Sequence, residues 1–269
     1  MSFLLQDRKS LLVAAIAFLG WALASLGYLF EPLGPGTRGL VSNIATVLAA
    51  WSVVALAFLL GRSYDRKETA WRIWMAMFLG FFLWGIGEIL WAYYDLLPGG
   101  EVPFPSLADL LWAVGYLPLW VALWLRFRSI EVRPGLPQGV ALAAVVLVGI
   151  VAVRYVLWPV ITYTEFDRPI EQFLDLLYPI GDLAILMGSV LVAVTVRGGR
   201  LSVPWQVISV GMVVLALADL IFAYGTWNEL YVTEGSLNLP TILVDLPYMG
   251  AYAVVAVGEY IQGRLDGVL

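Results

Sequence analysis

Four ionisable side chains sit inside apolar stretches and are the first candidates for chemistry: Glu88, Arg154, Asp182 and Asp219. Even lenient insertion scales set the cost of such a group at mid-membrane depth at about 2.5–3.5 kcal/mol, so each needs a partner or a task. One guanidinium faces three carboxyls, and Arg154 would pair most simply with Glu88, Asp219 or Asp182. Two acids are then left over, and they must hold protons, a cation or a hydrogen-bonding ligand. Three more acids, Asp109, Asp175 and Asp245, fall near the starts of their own apolar stretches. A carboxylate there can cap a helix and meet the positive end of its dipole, and Pro105-Ser106 ahead of Asp109 reads as a helix start. Asp109 and Tyr116, Asp175 and Asp182, and Asp245 and Tyr252 are each seven residues apart, which puts each pair on one helix face. Trp112, Tyr178 and Tyr248 follow three residues after their aspartates on the same side. The pattern predicts an acid- and aromatic-lined pocket between helices. A chain with 12 Trp and 13 Tyr also has rings to spare for interfacial belts, the competing reading.

Much other chemistry is excluded. The chain has no Cys and no His, which removes disulfides, thiolate and imidazole metal sites, histidine-ligated haem and Ser-His-Asp hydrolysis. Its only lysines are Lys9 and Lys67, both outside the apolar stretches, so a retinal Schiff base has no anchor. Gly85-Ile-Gly87-Glu88 and Ile180-Gly181-Asp182 faintly resemble the Gly-x-Gly-Asp of intramembrane aspartyl proteases, but neither is complete. Small residues before a polar one are common where membrane helices pack closely. No phosphate-binding glycine loop is present. The expectation is a non-enzymatic protein with no cofactor and no metal. The net charge of −5 is spread along the chain rather than gathered in a tail, so no nucleic-acid partner is expected.

The elements that must position these residues follow from hydropathy. Of 269 residues, 61% are hydrophobic and only 13% charged, far from the balance of a soluble domain. Apolar runs near 11–30, 40–61, 72–96, 106–126, 138–162, 172–196, 204–228 and 238–262 each have the length that crosses a ~30 Å hydrocarbon core. Residues 1–269 thus read as a single all-α transmembrane domain, a polytopic bundle of eight transmembrane helices in a cell membrane. The first run is too long for a signal sequence and is read as a retained helix. Between runs lie Glu31-Pro-Leu-Gly-Pro-Gly36, Pro98-Gly-Gly100, Arg133-Pro-Gly135 and Arg197-Gly-Gly199, while Pro118, Pro159, Pro179 and Pro247 are expected near span ends.

Basic residues alternate between the two sides. One side holds Arg8, Lys9, Arg62, Arg66, Lys67, Arg72, Arg126, Arg128, Arg133, Arg197, Arg200 and Arg264. The other holds Arg38 and Arg168 among Glu31, Glu101, Glu165, Asp167, Glu229 and Glu234. The positive-inside rule makes the first side, and with it both termini, cytoplasmic. The chain also repeats. Asn43, Asp109 and Asp175 are 66 residues apart, Glu88 and Arg154 share that spacing, and Asp219 falls one short. Four helical hairpins, about 11–61, 72–126, 138–196 and 204–262, account for this, and parallel repeats of that kind occur in transporters.

Three strings carry a resemblance: Pro105-Ser-Leu-Ala-Asp109-Leu-Leu-Trp-Ala-Val-Gly-Tyr116, Leu177-Tyr-Pro-Ile-Gly-Asp182 and Ala218-Asp219-Leu-Ile-Phe-Ala-Tyr224. Together they resemble a multi-span N-terminal module of bacterial and archaeal signalling proteins, of the kind that precedes diguanylate cyclase/phosphodiesterase (GGDEF, EAL) or histidine kinase domains. The likeness covers helices three to eight. It implies a sensory or ligand-responsive membrane module, and the polar core suggests that a small ligand or cation bound from the outer side would shift helix packing. The sequence stops a few residues after Arg264, so the module is expected to act through a separate cytoplasmic or membrane partner, to be part of a longer protein, or to serve another purpose on the same scaffold. Two other classes use the same acids: a cation- or proton-coupled transporter or channel, and an accessory structural subunit of a membrane complex.

Overall fold

Among the described residues, eight helices are long and apolar enough to cross a bilayer. The computed structural model describes residues 7–34, 36–97, 102–130, 135–165, 168–196, 202–232 and 237–269. Expectations placed on Pro35, Glu101, Arg133, Pro134, Asp167, Arg197, Arg200 and Glu234, and on the loops 98–100 and 197–199, lie outside those residues. The helices are α1 (Arg8–Phe30), α2 (Arg38–Ser63), α3 (Thr69–Asp95), α4 (Leu107–Arg128), α5 (Leu136–Thr162), α6 (Pro169–Thr195), α7 (Ser202–Trp227) and α8 (Leu239–Leu265). No strand occurs among the described residues. An even number of crossings leaves both termini on one face, called here the terminal face.

Local sequence explains the ends. At α4, Ser106 and Asp109 form a reciprocal capping box that satisfies free N–H groups at the helix start. Asn238 Oδ1 accepts from Thr241 N at 2.9 Å at the start of α8, and Pro169 and Pro240 occupy first-turn positions where a missing N–H costs nothing. Two features depart from expectation. Pro118 lies at the middle of α4, with Pro179 and Pro247 well inside α6 and α8, rather than near span ends. Packed neighbours make such interior prolines tolerable in membranes. In α5 a π-helical turn, Val153–Leu157, interrupts the α-helix.

Burial separates the helices into two sets. Only 11% of the α1 window and 17% of the α5 window are buried within the protein, against 33–50% for the other six. The six form a closed ring in the order α2, α3, α4, α6, α7, α8 and back to α2, with α1 outside against α8 and α2, and α5 outside against α6 and α7. The contacts α2–α3, α3–α4 and α4–α6 have counterparts in α6–α7, α7–α8 and α8–α2, whereas the outer helices differ, α1 meeting α8 and α5 meeting α7. Glycines make two of the seams close. A Cβ at Gly80 of α3 would lie 3.1 Å from Gly115 O of α4, and one at Gly211 of α7 would lie 2.8 Å from Ala251 O of α8. The same offsets along the chain relate Glu88 to Asp219 and Tyr116 to Tyr252.

Inside the ring, the half toward the terminal face is filled with apolar side chains. Met77, Phe81, Leu119, Leu123, Met212, Leu215 and Val255 are each at most 1% exposed. At the terminal face itself Asp7 closes onto Arg264, 3.2 Å away. The Arg264 hydrogen bond, with help from Ser10, holds the Asp7 carboxyl down at about 2, below its ordinary 3.8. A depressed value stabilises the fold above the unfolded pKa and stops doing so as pH falls through the folded one. Asp7→Asn is therefore expected to lower the melting temperature slightly at pH 7. The gap should shrink below pH 4 and vanish near pH 2; a gap independent of pH would overturn the assignment.

Candidate functional site

The half of the ring opposite the terminal face encloses a cavity of about 590 Å³. Its walls run out to Val102, Pro103 and Phe104 of the α3–α4 loop and to Glu229, Tyr231 and Val232 of the α7–α8 loop. Eight acidic residues line it: Glu88, Asp95, Asp109, Asp175, Asp182, Asp219, Glu229 and Asp245. Arg38 is the one cationic side chain on the wall among the described residues, and it is engaged with Glu31 at 3.0 Å. Rings of Trp84, Trp91, Trp112, Tyr116, Tyr178 and Tyr248 fill the spaces between the acids.

Five of the eight acids are tied to a hydroxyl or amide donor from another element. Tyr116 Oη donates to Asp182 Oδ1 at 2.5 Å, joining α4 to α6. Tyr178 Oη donates to Asp109 Oδ1 at 2.7 Å, joining the same helices nearer the mouth. Tyr248 and Tyr252 of α8 both donate to Glu88 Oε1 of α3, at 2.7 and 2.9 Å. Asp245 accepts from Tyr28 of α1 at one oxygen and from Tyr231 at the other, the latter at 2.9 Å. Asn43 Nδ2 donates to Asp95 Oδ2 at 2.6 Å. Burial, and next the facing Asp245 carboxylate, push the Tyr231 hydroxyl well above its usual range, so it stays a donor.

The exceptions define the site. Asp182 is 1% exposed, and its Oδ2 has no donor. Asp219 and Asp175 accept no hydrogen bond from any described residue. Asp219 shares the cavity wall with Asp182 and Glu88. The indole N–H of Trp112 turns toward Glu88 without completing a hydrogen bond of normal geometry. Directly beneath, toward the terminal face, comes the apolar plug: Leu119 is three residues on from Tyr116, Ile185 three on from Asp182, and Val255 three on from Tyr252.

Of the residues singled out by spacing, the cavity gathers Glu88, Asp109, Asp175, Asp182, Asp219, Asp245, Trp112, Tyr116, Tyr178 and Tyr248, with Tyr252 buried just behind Tyr248. Arg154 is a correction. It lies on the outside of α5, exposed, its guanidinium 5.4 Å from the Tyr155 ring, and it is no part of this wall. The reason is that α5 is peripheral, so mid-depth on that helix means lipid or its boundary rather than the bundle centre. End-capping, expected for three aspartates, is found at Asp109 alone, because α6 and α8 begin well before Asp175 and Asp245. Sequence spacing missed Asp95, Arg38, Tyr28 and Tyr231, which stand at span ends or on helices without a motif. It also missed Glu259 of α8, 0% exposed with neither oxygen hydrogen-bonded, on the far side of the plug.

Fold and site together define a multi-pass membrane protein whose eight helices enclose an acid-rich, aromatic-walled cavity open toward one face. No family model, curated protein or solved structure matches the chain.

Proposed function

We propose that the protein is a non-enzymatic, receptor-like module of the cell membrane that senses a small cationic ligand. The termini lie in the cytoplasm by the distribution of arginines, and the cavity opens outward. The observation that carries this reading is a one-sided cavity: unsatisfied carboxyls above, a continuous apolar plug below. A site sealed in this way suits binding with a report to the other face rather than passage. Ligand that draws α3, α6 and α7 together through Glu88, Asp182 and Asp219 favours one helix packing over another, which is all that a signal requires. At the terminal face Arg126 of α4 lies 4.7 Å over the Trp205 ring of α7, which packs 5.2 Å from Trp74 of α3. A shift of any of these helices would be felt there, where a separate signalling chain could read it. The motif resemblance to sensory membrane modules points the same way.

The chain has no Cys, so one cysteine placed at Lys67 gives an environment-sensitive dye a unique address at the terminal face. In nanodiscs, sodium, magnesium and a set of amines are added in turn. At least one is expected to shift the dye emission in the parent and to fail in Glu88→Gln and Asp182→Asn. Equal shifts in parent and variants, or none in either, sink the reading. The same cysteine is expected to react only from the cytoplasmic side of cells, and one placed at Glu165 only from outside.

A transporter is the second reading, and Glu259 favours it: a buried carboxyl beyond the plug, seven residues from Tyr252 on one face of α8. It predicts flux of the same cation across proteoliposomes that Glu259→Gln abolishes, whereas the receptor shows none.

A further inference from the structure

Resting on the receptor reading, we infer that the ligand is an extended aliphatic polyamine, whose separate N–H-bearing cationic groups engage a deep and a shallow carboxyl level of the cavity. The acceptor inventory leads there. The shallow acids Asp109 and Asp245 have both oxygens bonded within the protein, and the tyrosine hydroxyls nearby are already donated. What is left on the carboxyls is acceptors, Asp182 Oδ2, Asp219 and, one level up, Asp175, while the unbonded indole N–H of Trp112 is turned toward Glu88. A ligand for such a site must bring donors and positive charge and needs no acceptor of its own, which is the property of an alkylammonium. A quaternary ammonium would suit the aromatic walls but has no N–H for the unsatisfied oxygens. A bare metal ion fits less well, because among the described residues no three acids converge where one ion could sit.

Spacing gives the length. Asp175 and Asp182 are seven residues apart on one face of α6, both on the cavity wall. That is roughly 10 Å along the helix axis, a span that two ammonium groups on one alkyl chain can bridge and a monoamine cannot. Between the levels, Tyr178 presents its ring to the cavity while its hydroxyl is held by Asp109, leaving an aromatic stretch for the methylenes. Eight wall acids against one engaged arginine favour a multiply charged guest over a singly charged one.

The test is isothermal titration of the full chain in nanodiscs with spermidine, 1,4-diaminobutane, 1-aminobutane, choline and magnesium chloride. Spermidine is expected to bind most tightly, the diamine and monoamine successively less, and choline and magnesium weakest. Losing one charge-assisted hydrogen bond is worth about 10- to 100-fold in affinity, so Asp182→Asn should weaken all three amines by that factor. Asp175→Asn should weaken spermidine and the diamine and leave the monoamine unchanged. Unchanged helical circular dichroism and a monodisperse elution profile separate lost binding from lost fold, and Asp175→Asn, at a half-exposed position, serves should Asp182→Asn fail to fold. If choline or magnesium binds as tightly as spermidine, or the monoamine equals the triamine, the polyamine inference is overturned while the receptor reading stands. If no cation binds the parent, both fall.

Discussion

Gly258→Leu is expected to break the seam between α7 and α8 and to cost more than about 3 kcal/mol of stability, beyond ordinary overpacking. A Cβ at position 258 would stand 2.8 Å from Ile208 N and 2.9 Å from Pro204 O. Both are backbone atoms, so no side chain can turn aside and the helices themselves must part. The reciprocal contact is as tight, with a Cβ at Gly211 only 2.8 Å from Ala251 O and 2.9 Å from Val255 N. Small residues are what let membrane helices approach this closely, where dispersion rather than water drives association. The loss would reach the site, because the same seam sets Tyr248 and Tyr252 of α8 against Glu88 while α7 carries Asp219. Thermal melts in detergent should show Gly258→Leu unfolding far below the parent. Gly149→Leu, on the outside of α5 with nothing within 4 Å of the new Cβ, should match or slightly exceed it. Equal melting of parent and Gly258→Leu would mean that the seam is not where the bundle is held.

The crossings were legible because a bilayer imposes a length, and each helix was expected within a few residues of its observed ends. The acids at Glu88, Asp182 and Asp219 were legible for a related reason: a carboxyl among apolar residues is too costly to be incidental. Seven-residue spacing rightly put Asp175 with Asp182 on one face, yet it could not name partners. Tyr116 meets Asp182 on another helix, and Tyr248 and Tyr252 both cross the ring to Glu88. Arg154 shows the limit most sharply. Hydropathy reports depth along the membrane normal and nothing about azimuth, and which helices are peripheral depends on tertiary packing. α1 and α5 look like any other span in sequence but stand outside the ring, and the π-helical turn that holds Arg154 also departs from the 3.6-residue count by which faces are assigned. Taking Arg154 out of the centre enlarges the surplus of carboxyls there, since no guanidinium replaces it.

That surplus gives the second large effect its sign. Asp219→Asn is expected to raise the melting temperature of the empty protein modestly, because it removes one of three neighbouring wall carboxyls, while weakening spermidine at least tenfold. Asp219 receives no hydrogen bond from the described residues and shares the cavity wall with Asp182 and Glu88, so a negative charge on it faces like charge. An amide of the same shape removes that charge, and its N–H groups enter a neighbourhood where Asp182 Oδ2 has no donor. A purely structural acid behaves in the opposite way, since removing one partner of a settled network leaves the other stranded. Sites kept for binding are where proteins hold groups that the empty fold would be better without. The measurement is a paired one: melting temperature without ligand and spermidine affinity by titration, on Asp219→Asn and the parent. A lower melting temperature with affinity unchanged would show that Asp219 belongs to the scaffold, and the cavity would lose its claim to a cationic guest at that level.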